Sequence, residues 1–143
     1  MRAVHQRLRD ALDIARESIE NGDQPESIAG DLQFFCGGFC VALTGHHLSE
    51  DAALFPRVLE SDPELAETVA KLVQDHNMIA HLIQGLQHAM RNSESTEVLL
   101  RNLDGIDAVM ETHFRFEERQ LVGLLDSMQI PGMTKADLFG PIA

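Results

Sequence analysis

The chain has 143 residues, 44% hydrophobic and 24% charged, with 11 Lys and Arg against 23 Asp and Glu and a formal net charge of −12. That length suits one domain with its own core, and the charge argues against nucleic acid or an anionic membrane as partner, since both are polyanions. Seven His stand beside no Tyr and no Trp. Two Cys and no secretory leader point to a reducing, cytoplasmic setting, and no apolar run approaches the length of a membrane span.

From the N-terminus, residues 2–21 predict a first helix with His5, Leu8, Leu12, Ala15 and Ile19 along one face, closed by Asn21-Gly22. A second helix starts near Pro25 and runs to about Glu60. Its stripe is Ile28, Leu32, Phe35, Phe39, Leu43, His46, Glu50 and Leu54. Asp62-Pro63-Glu64 opens a third, with Asp as N-cap and Pro at the first helical position. It extends to Arg91 and carries Leu65, Val69, Leu72, His76, Ile79, Ile83, Leu86 and Met90. The polar run Asn92-Ser93-Glu94-Ser95-Thr96 makes a turn, and a fourth helix continues to about Gln129. Its stripe reads Leu99, Leu103, Ile106, Met110, His113, Glu117, Leu121 and Leu124. Ile130-Pro131-Gly132 ends it and leaves 130–143 as a tail packed on the bundle or trailing from it. Short connections between four such helices predict an all-α fold over residues 1–129, an antiparallel up-down-up-down four-helix bundle.

Every apolar stripe contains a histidine, and two of these are followed four residues later by Glu: His46 with Glu50 and His113 with Glu117. Positions i and i+4 differ by about 40° around a helix, so each pair points the same way. A lone inward His is commonly a hydrogen-bonded core residue, so depth decides. Counting from each turn at about 1.5 Å per residue, the four histidines differ in level by at most roughly 8 Å. All four and both Glu therefore converge on one layer, where unpartnered ionisable groups would each cost several kcal/mol. Convergence at one level favours metal ligation.

Four imidazoles and two carboxylates exceed the needs of one ion, and a carboxylate can bridge two. Mixed nitrogen and oxygen donors without thiolate disfavour zinc-finger and iron–sulfur chemistry and suit a dinuclear iron centre in a bundle core. A ferritin-like site would place Glu three residues before His, and none of the seven His has one there.

The order His5, His46-x-x-x-Glu50, His76, His113-x-x-x-Glu117 resembles the hemerythrin-like, or HHE cation-binding, domains. The stretch from His46 to Pro56, ending Leu54-Phe55-Pro56, is similar to that family's second-helix signature, and Asp75-His76 and the run from His113 to Glu118 match its third and fourth helices. The resemblance spans the chain to about residue 128. It implies two non-haem iron ions linked by the two carboxylates and an oxo or hydroxo bridge, with an open position for dioxygen or a related small ligand such as peroxide or nitric oxide. Oxygen sensing, storage or detoxification would follow. A peroxide-consuming, catalase-like enzyme and an interaction module with a structural metal are the two rival functions, and simple binding is favoured over catalysis.

The sequence departs from the oxygen carriers at one position. Those place a second His four residues after the first on the third helix, where this chain has Ala80. His81 lies about 140° round from His76 and cannot simply replace it. His47, beside His46, is either the missing ligand or an outer group. His81 and His88 read as solvent-facing or packing residues, and Asp51 and Glu118 as substitute ligands should the helices rotate. Cys36 and Cys40 read as small packing residues, because a disulfide one helical turn apart is geometrically poor. Gly37, Gly38 and Gly45 suggest close helix contact or a local bend near His46.

Overall fold

A computed structural model of the protein describes residues 1–21 and 25–127, with side chains described for 1–21 and 37–127. The side chains of the expected stripe residues Ile28, Leu32 and Phe35 and of Cys36, the end of the last helix at Gln129 and the tail 130–143 lie outside these residues. The described chain is helical, with α1 at Arg2–Glu20, α2 at Pro25–Ser49, α3 at Phe55–Ser61, α4 at Ala66–Arg91 and α5 at Thr96–Ser127. Short turns of other pitch join α2 to α3, a π turn at Glu50–Leu54, and precede α4, a 3-10 turn at Pro63–Leu65. No helix among the described residues is long and apolar enough to cross a membrane.

Side-chain periodicity sets what each helix buries. In α1, Val4, His5, Leu8, Leu12, Ala15 and Ile19 are inside. In α4 the buried set is Val69, Leu72, His76, Ile79, Ile83, Leu86 and Ala89, with Met90 and Leu65 only partly covered. In α5 it is Leu99, Leu103, Ile106, Met110, His113, Phe114, Glu117 and Leu121. Helix α1 packs against α2 and α5, α4 packs against α5, and α2 packs against α4, so the stripes share one helical-bundle core. Along the α1–α5 seam Arg16 pairs with Asp104 and Asp107, Arg9 with Glu111, and His5 with Glu118.

The expected second helix is a continuous helical run that carries one wide turn. Ser49 and Phe55, on either side of that turn, both keep right-handed helical angles, and the Phe55 N–H reaches back five residues to the Glu50 carbonyl. Pro56 explains the widening. It has no N–H to offer the carbonyl four residues back, and its ring crowds that carbonyl, so the turn before it loosens. The π turn begins at Glu50 and so falls within the site layer.

Local side-chain bonds fix the two connections around α4. Asp62 accepts a hydrogen bond from the Glu64 N–H at 3.1 Å and caps the entering turn, as its sequence position predicts. At the far end the Ser93 N–H donates to Met90 and the Glu94 N–H to Ala89, which closes α4 with Ser93 in the left-handed region at φ 51°. Glycine tolerates that conformation better than serine does. Ser93→Gly is therefore expected to raise stability by about 1 kcal/mol in urea unfolding with an unchanged slope. Among the described residues a Cβ added at Gly37 or Gly38 meets nothing within 4 Å, so neither makes a close contact there. The close approach occurs at Gly85, where a Cβ would meet the Asn102 side chain at 3.3 Å.

Candidate metal centre

Among the described residues, seven polar side chains are buried in the middle of the apolar core: His5, His46, His47, Glu50, His76, His113 and Glu117. They are the seven residues the sequence points to, and they come from α1, α2, the π turn, α4 and α5. Their ligand atoms fall into two groups, each within 4.8 Å internally. One joins His47, Glu50, His76 and His113; the other joins His5, His46, Glu50 and Glu117.

Helix geometry explains why Glu50 belongs to both. Relative to His46, His47 is rotated by about 100° and Glu50 by about 40°, so the carboxylate projects between the two imidazoles. Its Oε1 lies 3.3 Å from His46 Nε2 in one group and 3.4 Å from His76 Nε2 in the other. Glu117 stands between the groups in the same way, with Oε2 3.1 Å from His113 Nε2 and 3.8 Å from His5 Nε2. His47 stacks on His76 with ring centroids 3.8 Å apart, and so completes a group of three imidazoles. Two neighbouring residues of α2 thus face two different groups.

Three carboxylates behind the site set the histidine tautomers. His76 Nδ1 bonds Asp51 at 2.8 Å, His113 Nδ1 bonds Asp75 at 3.2 Å and His5 Nδ1 bonds Glu118 at 3.1 Å. Arg9 lies 3.8 Å from Glu118 and is itself held by Glu111. Asp51 and Glu118 therefore bond to the outer nitrogens of histidines and do not replace the i+4 carboxylates. With each Nδ1–H donating outward, each Nε2 turns a lone pair inward, the arrangement in which imidazole binds metal. Sequence reasoning did not assign Asp75 a role. Its signal was its place beside His76, although it bonds across the bundle to His113.

The donor set fits a cation. His76 Nε2 and His113 Nε2 face each other at 3.0 Å. Two lone pairs at that distance repel unless a proton or metal lies between them. A cation held by both nitrogens would remove that repulsion. His5 Nε2, His47 Nε2 and both carboxylate oxygens of Glu50 and Glu117 are buried without a hydrogen bond. Each such orphan costs about 1–3 kcal/mol, which a metal would offset.

Electrostatics point the same way. Burial pushes His5 down to about 3, assisted by the charges of His46, His113 and Arg9 and opposed by Glu117. Burial also pushes His47 well below its ordinary value, assisted by its neighbouring histidines. Both rings are held neutral near pH 7, the ligating form. Burial and the charge of Glu117 push Glu50 well above the usual carboxylate range. Burial would raise Glu117 too, but the Glu50 carboxyl and the His113 and His5 imidazoles hold it below that range. Two carboxylates buried together cannot both stay ionised without added positive charge.

Phe114 stacks on His5 with centroids 3.8 Å apart and planes within 4°, so an apolar wall covers one side of the site. His81 and His88 are exposed, and His88 bonds Asn92, so neither joins the cluster. Cys40 is buried, as a packing residue would be.

The model of the hemerythrin HHE cation-binding domain matches residues 1–125. No curated protein and no solved structure matches the chain. The family match covers almost the whole chain and includes all seven clustered residues, so the chain belongs to the hemerythrin HHE cation-binding domain family.

Proposed function

We propose that this protein holds two non-haem iron ions and uses them to bind dioxygen or a related small ligand, such as peroxide or nitric oxide, in sensing, storage or detoxification. The observation that carries this reading is that one carboxylate, Glu50, belongs to both ligand groups. A residue shared in that way suits a pair of ions better than a single one. His47, His76 and His113 would hold one ion, His5 and His46 the other, and Glu50 and Glu117 would link them. Nitrogen and carboxylate donors without thiolate suit iron. A di-iron pair supplies electron transfer and a coordination position that a small ligand can occupy.

The chain's own residues would do the rest. Asp51, Asp75 and Glu118 keep the Nδ1 protons of His76, His113 and His5 on the outer side. The buried side chains Leu43, Met110 and Phe114 keep bulk water from the layer. The chain is read as an up-down-up-down antiparallel bundle, in which α1 and α5 run in opposite directions. Support comes from the seam between them, where residues 5, 9 and 16 meet 118, 111 and 104 in descending order.

Metal analysis with an optical spectrum in air tests the function. About two irons per chain with near-ultraviolet bands of an oxo-bridged pair is the expected result. A single tightly held zinc, or no metal in protein prepared without air, would overturn it. His113→Ala is expected to abolish the bands, and retention of full iron content would show the ligand assignment to be wrong.

A further inference from the structure

The seven clustered side chains are not equally sealed. His5, His46, Glu50 and Glu117 are 0% exposed and His113 is 1% exposed, whereas His47 and His76 reach 5% and 4%. These two line a pocket of about 80 Å³ between α2 and α4. One wall is Thr44, His47 and Leu48 of α2 with Asp51 of the π turn, which recur at the spacing of one helix face. Its α4 wall includes His76 and Ala80, four residues and about one turn apart. Thr44, Leu48 and Ala80 are exposed, so the pocket runs from the surface to the two imidazoles. The small side chain of Ala80 keeps that path open beside His76.

We infer that the α2–α4 pocket is the route by which small molecules reach the centre, and that Ala80 and Thr44 set its width. The inference rests on the di-iron reading above and adds a size limit to it. Drug-sized and metabolite sites occupy about 300–1,000 Å³, several times this volume, whereas a water needs only about 10–15 Å³. The route therefore suits small molecules rather than ordinary metabolites. Its walls are largely uncharged, with Asp51 the acidic exception, tied to His76 at 2.8 Å.

Azide uptake by the iron-loaded protein, followed by stopped flow through the ferric charge-transfer band, tests the route. Ala80→Phe and Thr44→Phe each place a ring in the pocket from an exposed position, where folding and iron content are expected to be preserved. Both are expected to slow azide uptake by at least three-fold, with Ala108→Phe on the exposed side of α5 as a control of unchanged rate. Iron content is measured for every variant. Slowing below three-fold in both plugged variants, with iron intact, overturns the route and leaves the di-iron reading standing. A wild-type protein that takes up no iron overturns both.

Discussion

Glu50→Gln is expected to remove both metal ions, with content falling from about two per chain to nearly none, whereas His47→Gln should spare one. Glu50 is common to the two ligand groups, while His47 belongs only to the group with His76 and His113. The same substitution should act in the opposite direction on the metal-free protein. There the Glu50 carboxyl is fully buried, and burial together with the charge of Glu117 drives it towards the protonated form. A neutral amide of similar shape relieves that cost, so metal-free Glu50→Gln is expected to be more stable than metal-free wild type by roughly 1–3 kcal/mol. Elemental analysis and urea unfolding, with and without a chelator, give both numbers. Equal destabilisation of the two forms would mean that Glu50 serves packing alone.

Removing metal from the wild type is expected to lower its stability by about 4 kcal/mol for each ion at a free metal concentration of a thousand times the dissociation constant. For a chain of this size that is a fall on the order of 15 °C in melting temperature. Among the buried groups, His5 and Glu50 pull the pH dependence of the metal-free form in opposite directions. The folded-state value of His5 lies at about 3, below its ordinary 6.5. The unfolded chain thus binds the extra proton first as pH falls, and stability is lost from about pH 6.5 downwards to about pH 3. Glu50 works in the other direction. Its folded-state value is raised, so the folded chain keeps a proton the unfolded chain has released, and stability is lost as pH rises above 4.5. Metal-free protein is therefore squeezed from both sides, and bound metal should relieve the loss near neutral pH. Urea titrations across pH 4–8, with and without iron, check this; a metal-free profile that stays flat throughout would contradict the burial assigned to both groups.

The two pairs spaced four apart show how much of the centre lay in plain view. Glu50 and Glu117 follow His46 and His113 at a spacing that fixes a shared direction on any helix, whatever packs against it. Periodicity likewise predicted that His5 and His76 face inwards, and both are buried. His47 could not be settled in that way. It lies about 100° from His46, and whether that direction meets core or water depends on how closely α4 approaches α2. Its stack on His76 is a contact between helices, invisible along either one.

The wide turn at Glu50–Leu54 had a local cause in Pro56, yet no periodic pattern distinguishes an α-helix from one with a single loosened turn. Asp75 is a similar case. Its neighbour in sequence is His76, but its hydrogen bond goes to His113 on α5. Helix periodicity alone was enough for a helical chain, the inward stripes among the described residues and the inward direction of six of the seven clustered donors, because side-chain direction is a local property of helix pitch. The place of His47, the division of donors into two groups around Glu50, the carboxylate behind each of three imidazoles and the pocket beside Ala80 came from helix packing. Each depends on the distance and rotation between helices, which no single helix encodes.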